Sequence, residues 1–119
     1  MTALECLKEA QRAGAHFQLP INAFVDEFRA ADAAARRAMV KDPIMAQGPM
    51  EGLVAAVASA LCRETGDQAP AWVASTGSPE PFFAFPAKSF ALRVRLMLES
   101  PAPFKIRNVF VPADYLSRA

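Results

Sequence analysis

Apolar residues recur along most of this chain at the spacing of an α-helix. The firmest pattern follows Pro20, a residue that suits the first turn of a helix. Four large apolar residues then stand at i, i+3, i+4 and i+7: Ile21, Phe24, Val25 and Phe28. We therefore predict an amphipathic helix that begins near residue 20 and packs this stripe into a core.

End signals divide the N-terminal part into further helices. Thr2 and Glu5 have the spacing of a capping box for a first helix, which Gly14 can end. Asp32 either caps a short third helix or lies within a second helix that runs on to Lys41.

The stretch 50–63 gives the best helix of the chain. Its large apolar residues share one stripe, which alanines surround: Met50, Leu53, Val54, Val57 and Leu61. Because small side chains let neighbouring elements approach closely, we place this helix at the centre of a bundle.

The next segment is rich in proline, and a further helix follows it. Residues 69–86 suit one helical turn with Trp72 facing inward, but otherwise neither a regular helix nor an inner strand. Residues 87–99 then return to helix. Apolar residues form a stripe on one side of it, with Leu92 and Leu96 almost opposite: Phe90, Val94, Met97 and Leu98. A helix that is apolar on both sides is expected to be buried on both sides, one of them against a second subunit if the chain is a dimer.

The chain closes on a segment that combines prolines, aromatic residues and cations (99–119). We expect it to fold back as a lid, with Phe104, Phe110 and either Tyr115 or Leu116 as anchors and Ser100 as a turn or cap residue.

These elements predict an all-α fold, a compact bundle of five or six helices with a proline-rich aromatic C-terminal segment folded back over the core. Val109 to Val111 suits a short β-bridge at most. We assign a single helical domain, 1–119. It comprises a helical N-terminal part (1–66), a Pro/aromatic connection (67–86) and a helix plus C-terminal lid (87–119).

Composition and charge narrow the function classes. Of 119 residues, 53% are apolar and 21% charged, which is typical of a globular chain. The net charge of +1 gives the whole molecule no field that would attract nucleic acid or membrane. The charge is uneven, however: −3 over residues 1–80 and +4 over residues 81–119.

The sequence offers no set of residues for catalysis or metal binding. Cys6 and Cys62 lie far apart without zinc-ligand spacing, and they are typical of buried thiols in a reducing cytoplasm. His16 has no second histidine or paired cysteine near it in the sequence. Neither Ser59 nor Cys62 has an adjacent base. We therefore predict a cytoplasmic protein that is not an enzyme, has no metal or cofactor and does not associate with a membrane.

Residues 70–119 hold the candidate binding residues, which are cations, an amide and a tryptophan: Trp72, Arg93, Arg95, Lys105, Arg107 and Asn108. In one interpretation they form a surface that accepts an anion or a protein, because arginines make forked hydrogen bonds and aromatic rings supply contact area. In the other, the segment only braces the fold. Arg107 and Asn108 then satisfy carbonyls and carboxylates such as those of Glu99 or Glu80.

The same part of the chain resembles the end of a group of small, uncharacterised bacterial proteins. They share an EPxF element followed by SPxPFxxRNxFVxxxxLxRA. The matching positions are Trp72, Glu80, Pro81, Phe83, Ser100, Pro101, Pro103, Phe104, Arg107, Asn108, Phe110, Leu116, Arg118 and Ala119. The resemblance covers residues 70–119 and implies a bacterial protein. Some such proteins carry DNA-binding segments or sit in operons suggestive of regulatory or toxin–antitoxin pairs, but the resemblance carries over no catalytic or binding residue, and the sequence before the tail shows no obvious DNA-binding module.

Three hypotheses follow. The leading one is a non-enzymatic helical interaction or regulatory module that acts through a protein partner or as a homodimer. The first alternative is an antitoxin-like regulator that binds nucleic acid through Arg93, Arg95, Lys105 and Arg107. The second is a small ligand-binding protein or enzyme with a pocket lined by Trp72 and phenylalanines.

Overall fold

The computed structural model describes residues 1–117, and the first helix begins where the sequence predicts. The Thr2 hydroxyl accepts a hydrogen bond from the Glu5 N–H, and the Glu5 carboxylate accepts one from the Thr2 N–H. This capping box starts α1 (Ala3–Ala13), which ends at Gly14 with a positive φ of 59°. A short 3₁₀ turn (Gly14–His16) then leads into the second helix.

The second and third helices are separate. α2 (Gln18–Ala30) buries the whole predicted stripe of Ile21, Phe24, Val25 and Phe28. The chain then becomes extended at Ala31, and Asp32 accepts a hydrogen bond from the Ala35 N–H to start α3 (Ala33–Val40). The hypothesis of one helix running on to Lys41 is therefore wrong, because the aspartate cap starts a new helix.

The best predicted helix lies at the centre of the fold. α4 (Pro49–Thr65) begins with proline in its first turn and ends at Gly66, which is left-handed with φ 75°. Nine of its residues are buried, and α4 packs against α1 and α2 as well as against elements of the C-terminal half. Its small residues allow this close approach, as predicted.

The connection contains one element that the sequence did not predict. After α5 (Trp72–Ser75), β1 (Phe82–Phe83) pairs in parallel with β2 (Val109–Phe110), with Phe82 opposite Val109 and Phe83 opposite Phe110. The prolines around β1 remove only their own N–H groups. Phe82 and Ala84 still donate to the carbonyls of Asn108 and Phe110. The described chain is therefore mostly helical but not strictly all-α.

The helices also differ in number and extent from the prediction. Residues 1–117 contain seven α-helices rather than five or six, because the chain forms short ones at α5 and α7 (Ala102–Lys105). α6 (Phe90–Glu99) begins three residues later than predicted, because the Ser89 hydroxyl caps it by accepting from the Leu92 N–H.

The C-terminal segment folds back over the core, as predicted. Phe104 is fully buried, and its ring meets the Tyr115 ring edge-on at 5.6 Å. Phe110 is buried as well. The Tyr115 hydroxyl donates to Gln18 Oε1 at 2.6 Å, which fixes the segment to α2. Arg118 and Ala119, the last two positions of the C-terminal motif, lie outside the described residues.

Candidate functional site

Helix α6 is attached to the domain by one side only. Leu96 is 2% exposed and packs with Ala87 and Phe110, while Phe83 and Leu92 are partly buried against the same small cluster. At the end of α6, the Ser100 hydroxyl accepts from the Val111 N–H at 2.9 Å. Ser100 is thus buried and acts as a cap residue, as predicted. These contacts join α6 to Phe110 of β2 and to Val111 directly after it.

The opposite side of α6 faces solvent. At 100° per residue, four apolar residues share this side and define what we term the outer stripe: Phe90, Val94, Met97 and Leu98. Phe90 is 83% exposed, Leu98 74% and Met97 43%. The prediction that both sides of this helix are buried is therefore wrong for the isolated chain, because the domain covers only the side that carries Leu92 and Leu96.

Cations surround the outer stripe. Arg93 donates through Nε to the Ala87 carbonyl at 2.9 Å, and its guanidinium lies over the Phe83 ring, 5.5 Å from the centroid. Arg95, on the other flank, pairs with Glu99 at 3.2 Å. Lys105 donates to the Leu98 carbonyl at 3.0 Å, near the end of α6 where the helix dipole favours a positive charge. We term these three residues, Arg93, Arg95 and Lys105, the cationic rim.

The rim is poorly balanced by negative charge. Residues 81–113 contain five Lys or Arg residues and a single carboxylate, Glu99. That carboxylate is already paired with Arg95 in the same helix. The outer stripe therefore combines exposed apolar side chains with a positive border.

Two other predicted binding residues act inside the fold. Arg107 is 6% exposed and donates to the carbonyls of Val73 and Pro103, and burial lowers the pKa of its guanidinium. Asn108 has a positive φ of 64° and donates through Nδ2 to the Ser78 carbonyl. These contacts match the bracing interpretation, although the acceptors are main-chain carbonyls rather than Glu99 or Glu80. A binding role for Arg107 or Asn108 stays a prediction.

Trp72 lies apart from both groups. Its indole N–H donates to the Val40 carbonyl at 2.8 Å, which joins α5 to the end of α3. An open cavity of about 310 Å³ lies beside Arg107 and Asn108, but neither Trp72 nor a phenylalanine is among its lining residues in the described chain. Of the six predicted residues, Arg93, Arg95 and Lys105 thus lie together around α6. Trp72, Arg107 and Asn108 lie elsewhere in the fold.

The thiols and the single histidine form no reactive cluster in the described part of the chain. Burial raises the pKa of the Cys6 thiol to about 12, and it raises the pKa of Cys62 as well. His16 lies at the surface, beside a shallow hollow that Glu9 and Arg12 also line. Within residues 1–117, the His, Cys, Asp and Glu side chains form no group of three that could hold a metal ion.

The outer stripe was absent from the predicted binding residues. Its signal was present in the sequence, as a helix apolar on two sides in a small chain. The interpretation expected both sides of this helix to be buried, one of them against a second subunit if the chain is a dimer, but it named only cations, an amide and a tryptophan as binding residues.

No protein-family model matches this chain, and no curated protein or solved structure matches it. The resemblance of the C-terminal motif to small bacterial proteins therefore stays a prediction. No helix within residues 1–117 is long and apolar enough to cross a membrane.

Proposed function

We propose that this protein is a non-enzymatic interaction module that contacts another protein chain through the outer stripe of α6. The observation that carries the proposal is the exposure of Phe90, Met97 and Leu98 side by side on one helix face. Exposed apolar patches bordered by polar residues are typical of protein–protein contact sites.

The energetics support a contact at this face. Burial of a Leu, Met or Phe side chain is favourable by about 1.5–3 kcal/mol relative to leaving it in water. Since Leu96 and the Ser100 cap already hold α6 in place, a partner need not order the helix on binding. The cost of ordering this helix is thereby avoided, and the free energy of burial has to offset mainly the translational and rotational freedom that is lost on association.

The nucleic-acid alternative has weaker support. It requires four cations, but Arg107 is buried and its guanidinium donates to two main-chain carbonyls. The remaining three border an apolar stripe, which phosphates would leave exposed to water. An antitoxin-like regulatory role is compatible with this proposal if the contact at α6 is with a protein.

The test replaces the stripe without disturbing the core. We define the stripe variant as Phe90→Gln with Leu98→Gln, and the control variant as Leu19→Gln with Met45→Gln. All four positions are exposed, so the same chemical change is made on and off α6. Light scattering measures self-association, and affinity capture with quantitative mass spectrometry measures retained proteins.

We expect self-association or a retained protein for the wild type and the control variant, and its loss for the stripe variant. A monomer that retains the same proteins before and after the stripe substitutions would overturn the proposal. A shift of DNA or RNA at low salt that weakens steeply as salt rises would favour the nucleic-acid alternative instead.

A further inference from the structure

We infer that the outer stripe binds an amphipathic helix of a different protein, with carboxylates on both flanks of its apolar face. This inference rests on the proposed function and adds the chemistry of the partner. Two observations carry it together, namely the exposed apolar side chains and the cations on both sides of them.

The charges of the rim select a negative partner. Arg93 makes one hydrogen bond, through Nε, and its two terminal nitrogens have no hydrogen-bond acceptor among residues 1–117. Arg95 likewise uses only Nε, toward Glu99. The terminal nitrogens of both arginines can therefore donate to carboxylates of an incoming chain, and arginine makes such hydrogen bonds in pairs.

A second copy of this chain fits the rim poorly. Arg93 lies on one flank of the stripe and Arg95 on the other, so two copies of α6 bring arginine against arginine whether they pair parallel or antiparallel. Like charges placed this way destabilise a helix pair. Glu99 can offset this repulsion only in part, because its carboxylate already accepts a hydrogen bond from Arg95 of the same helix.

The size of the stripe leads to the same conclusion. α6 has 10 residues and so is about 15 Å long. A stable homodimer buries about 800 Å² on each partner, more than one face of so short a helix supplies. A single helix, by contrast, can cover the stripe completely by laying its ridges between residues 90, 94, 97 and 98.

A lipid surface is the other occupant with matching chemistry. Interfacial helices carry their apolar face opposite a strongly charged face that stays in the headgroup layer. The side of α6 opposite the outer stripe instead packs on the domain through Leu92 and Leu96, and the ends of α6 are fixed by the Ser89 and Ser100 caps. A protein helix therefore fits this face better, and vesicle binding becomes an outcome of the test.

The test selects ligands from a displayed library of random peptides of about 20 residues, long enough to form a helix. Wild-type protein is the bait, and binders that also bind the stripe variant are removed. Enriched peptides are synthesised and titrated by fluorescence anisotropy at about 50 mM and about 500 mM salt, which changes the screening length several-fold. Light scattering and co-sedimentation with phosphatidylglycerol-containing vesicles accompany the selection.

We expect enriched peptides with apolar residues at i, i+3 or i+4, and i+7, and an excess of Asp and Glu. Their affinity for the double variant Arg93→Gln with Arg95→Gln should be about tenfold or more below their affinity for the wild type. Their affinity for the wild type should also fall at high salt. The matched control, Arg37→Gln with Arg63→Gln, removes two exposed arginines that lie on other helices, and its affinity should stay near that of the wild type.

The remaining outcomes separate the two proposals. Enriched peptides that bind the stripe without a preference for carboxylates would overturn this inference and leave the proposed function standing. No enrichment together with a dimer that the stripe variant abolishes would assign the face to a second copy. No enrichment from a monomer, with or without vesicle binding, would overturn this inference, and the affinity capture with the stripe variant then decides the proposed function separately.

Discussion

The guanidinium of Arg107 donates two hydrogen bonds to the carbonyl oxygen of Val73, from Nε at 3.1 Å and from Nη2 at 2.8 Å. A third N–H donates to the Pro103 carbonyl at 2.6 Å. One side chain thus joins α5 to α7 and to the start of β2. Among the described residues it makes this connection without a carboxylate partner.

Replacement of Arg107 should therefore destabilise the fold. Arg107→Met leaves two buried carbonyls without their donors, and we expect a loss of about 2–4 kcal/mol in the free energy of unfolding. Arg107→Lys should also lose stability, because one ammonium nitrogen does not reproduce the planar fork. Urea unfolding followed by the fluorescence of Trp72 measures both.

Arg95→Met, at an exposed surface pair, serves as the control and should cost less than about 1 kcal/mol. Equal stability of Arg107→Met and the wild type would contradict the bracing role.

A second prediction concerns the anchor of the C-terminal segment. Phe104 is fully buried against Tyr115 and the central core. Phe104→Ala should lower the free energy of unfolding by about 3–5 kcal/mol, since the missing ring leaves a cavity. Phe90→Ala makes the same chemical change at a solvent-exposed position and should stay within about 0.5 kcal/mol of the wild type. If thermal unfolding shows the two variants to be equally stable, the segment does not act as a lid.

The sequence predicted helix starts and ends correctly where the signal depends on neighbouring residues alone. The capping box of Thr2 and the glycine end at Gly14 each act within one helical turn. The strand pair of Phe82 with Val109 joins segments far apart in the chain, and no local pattern reports such a pairing.

The candidate site was predicted only in part, for a related reason. Periodicity shows which side chains of α6 share a face, but it does not show which face the rest of the chain covers. Arginine is also rarely buried without a partner charge, so the sequence left open whether Arg107 binds a ligand at the surface or braces the fold. Its buried position depends on the carbonyls of Val73 and Pro103, which only the tertiary fold brings within reach.

The ion pair between Arg36 and Asp67 predicts a dependence of stability on pH. Arg36 Nε lies 2.6 Å from Asp67 Oδ2, and the hydrogen bonds from Arg36 and Thr65 lower the pKa of that carboxyl. A lowered pKa means that the folded protein binds the proton less well than the unfolded chain, in which an aspartate has a pKa of about 3.9. The stabilisation is therefore complete above that pH and is lost as the pH falls through the folded pKa.

Asp67→Asn should accordingly be less stable than the wild type near neutral pH, and the difference should shrink below about pH 4. Urea unfolding at a series of pH values measures this. Asp114→Asn replaces an exposed carboxyl and should follow the wild type over the whole range. A difference for Asp67→Asn that stays constant to the lowest pH would show that the charge of Asp67 does not stabilise the fold.

The last prediction concerns Gly52, where the loop before β1 passes close to the backbone of α4. Gly52 faces the loop before β1, and a Cβ atom at this position would lie 2.9 Å from the Ser78 nitrogen and 3.0 Å from the Gly77 carbonyl carbon. Both are main-chain atoms and cannot rotate away. In an exposed helix Gly→Ala is favourable by about 1 kcal/mol, but the overlap here should reverse the sign and destabilise Gly52→Ala by about 1–3 kcal/mol. Ser59→Ala, on the same helix, should be neutral or slightly stabilising. A gain in stability for Gly52→Ala in urea unfolding would show that the loop can move away from α4 at little cost.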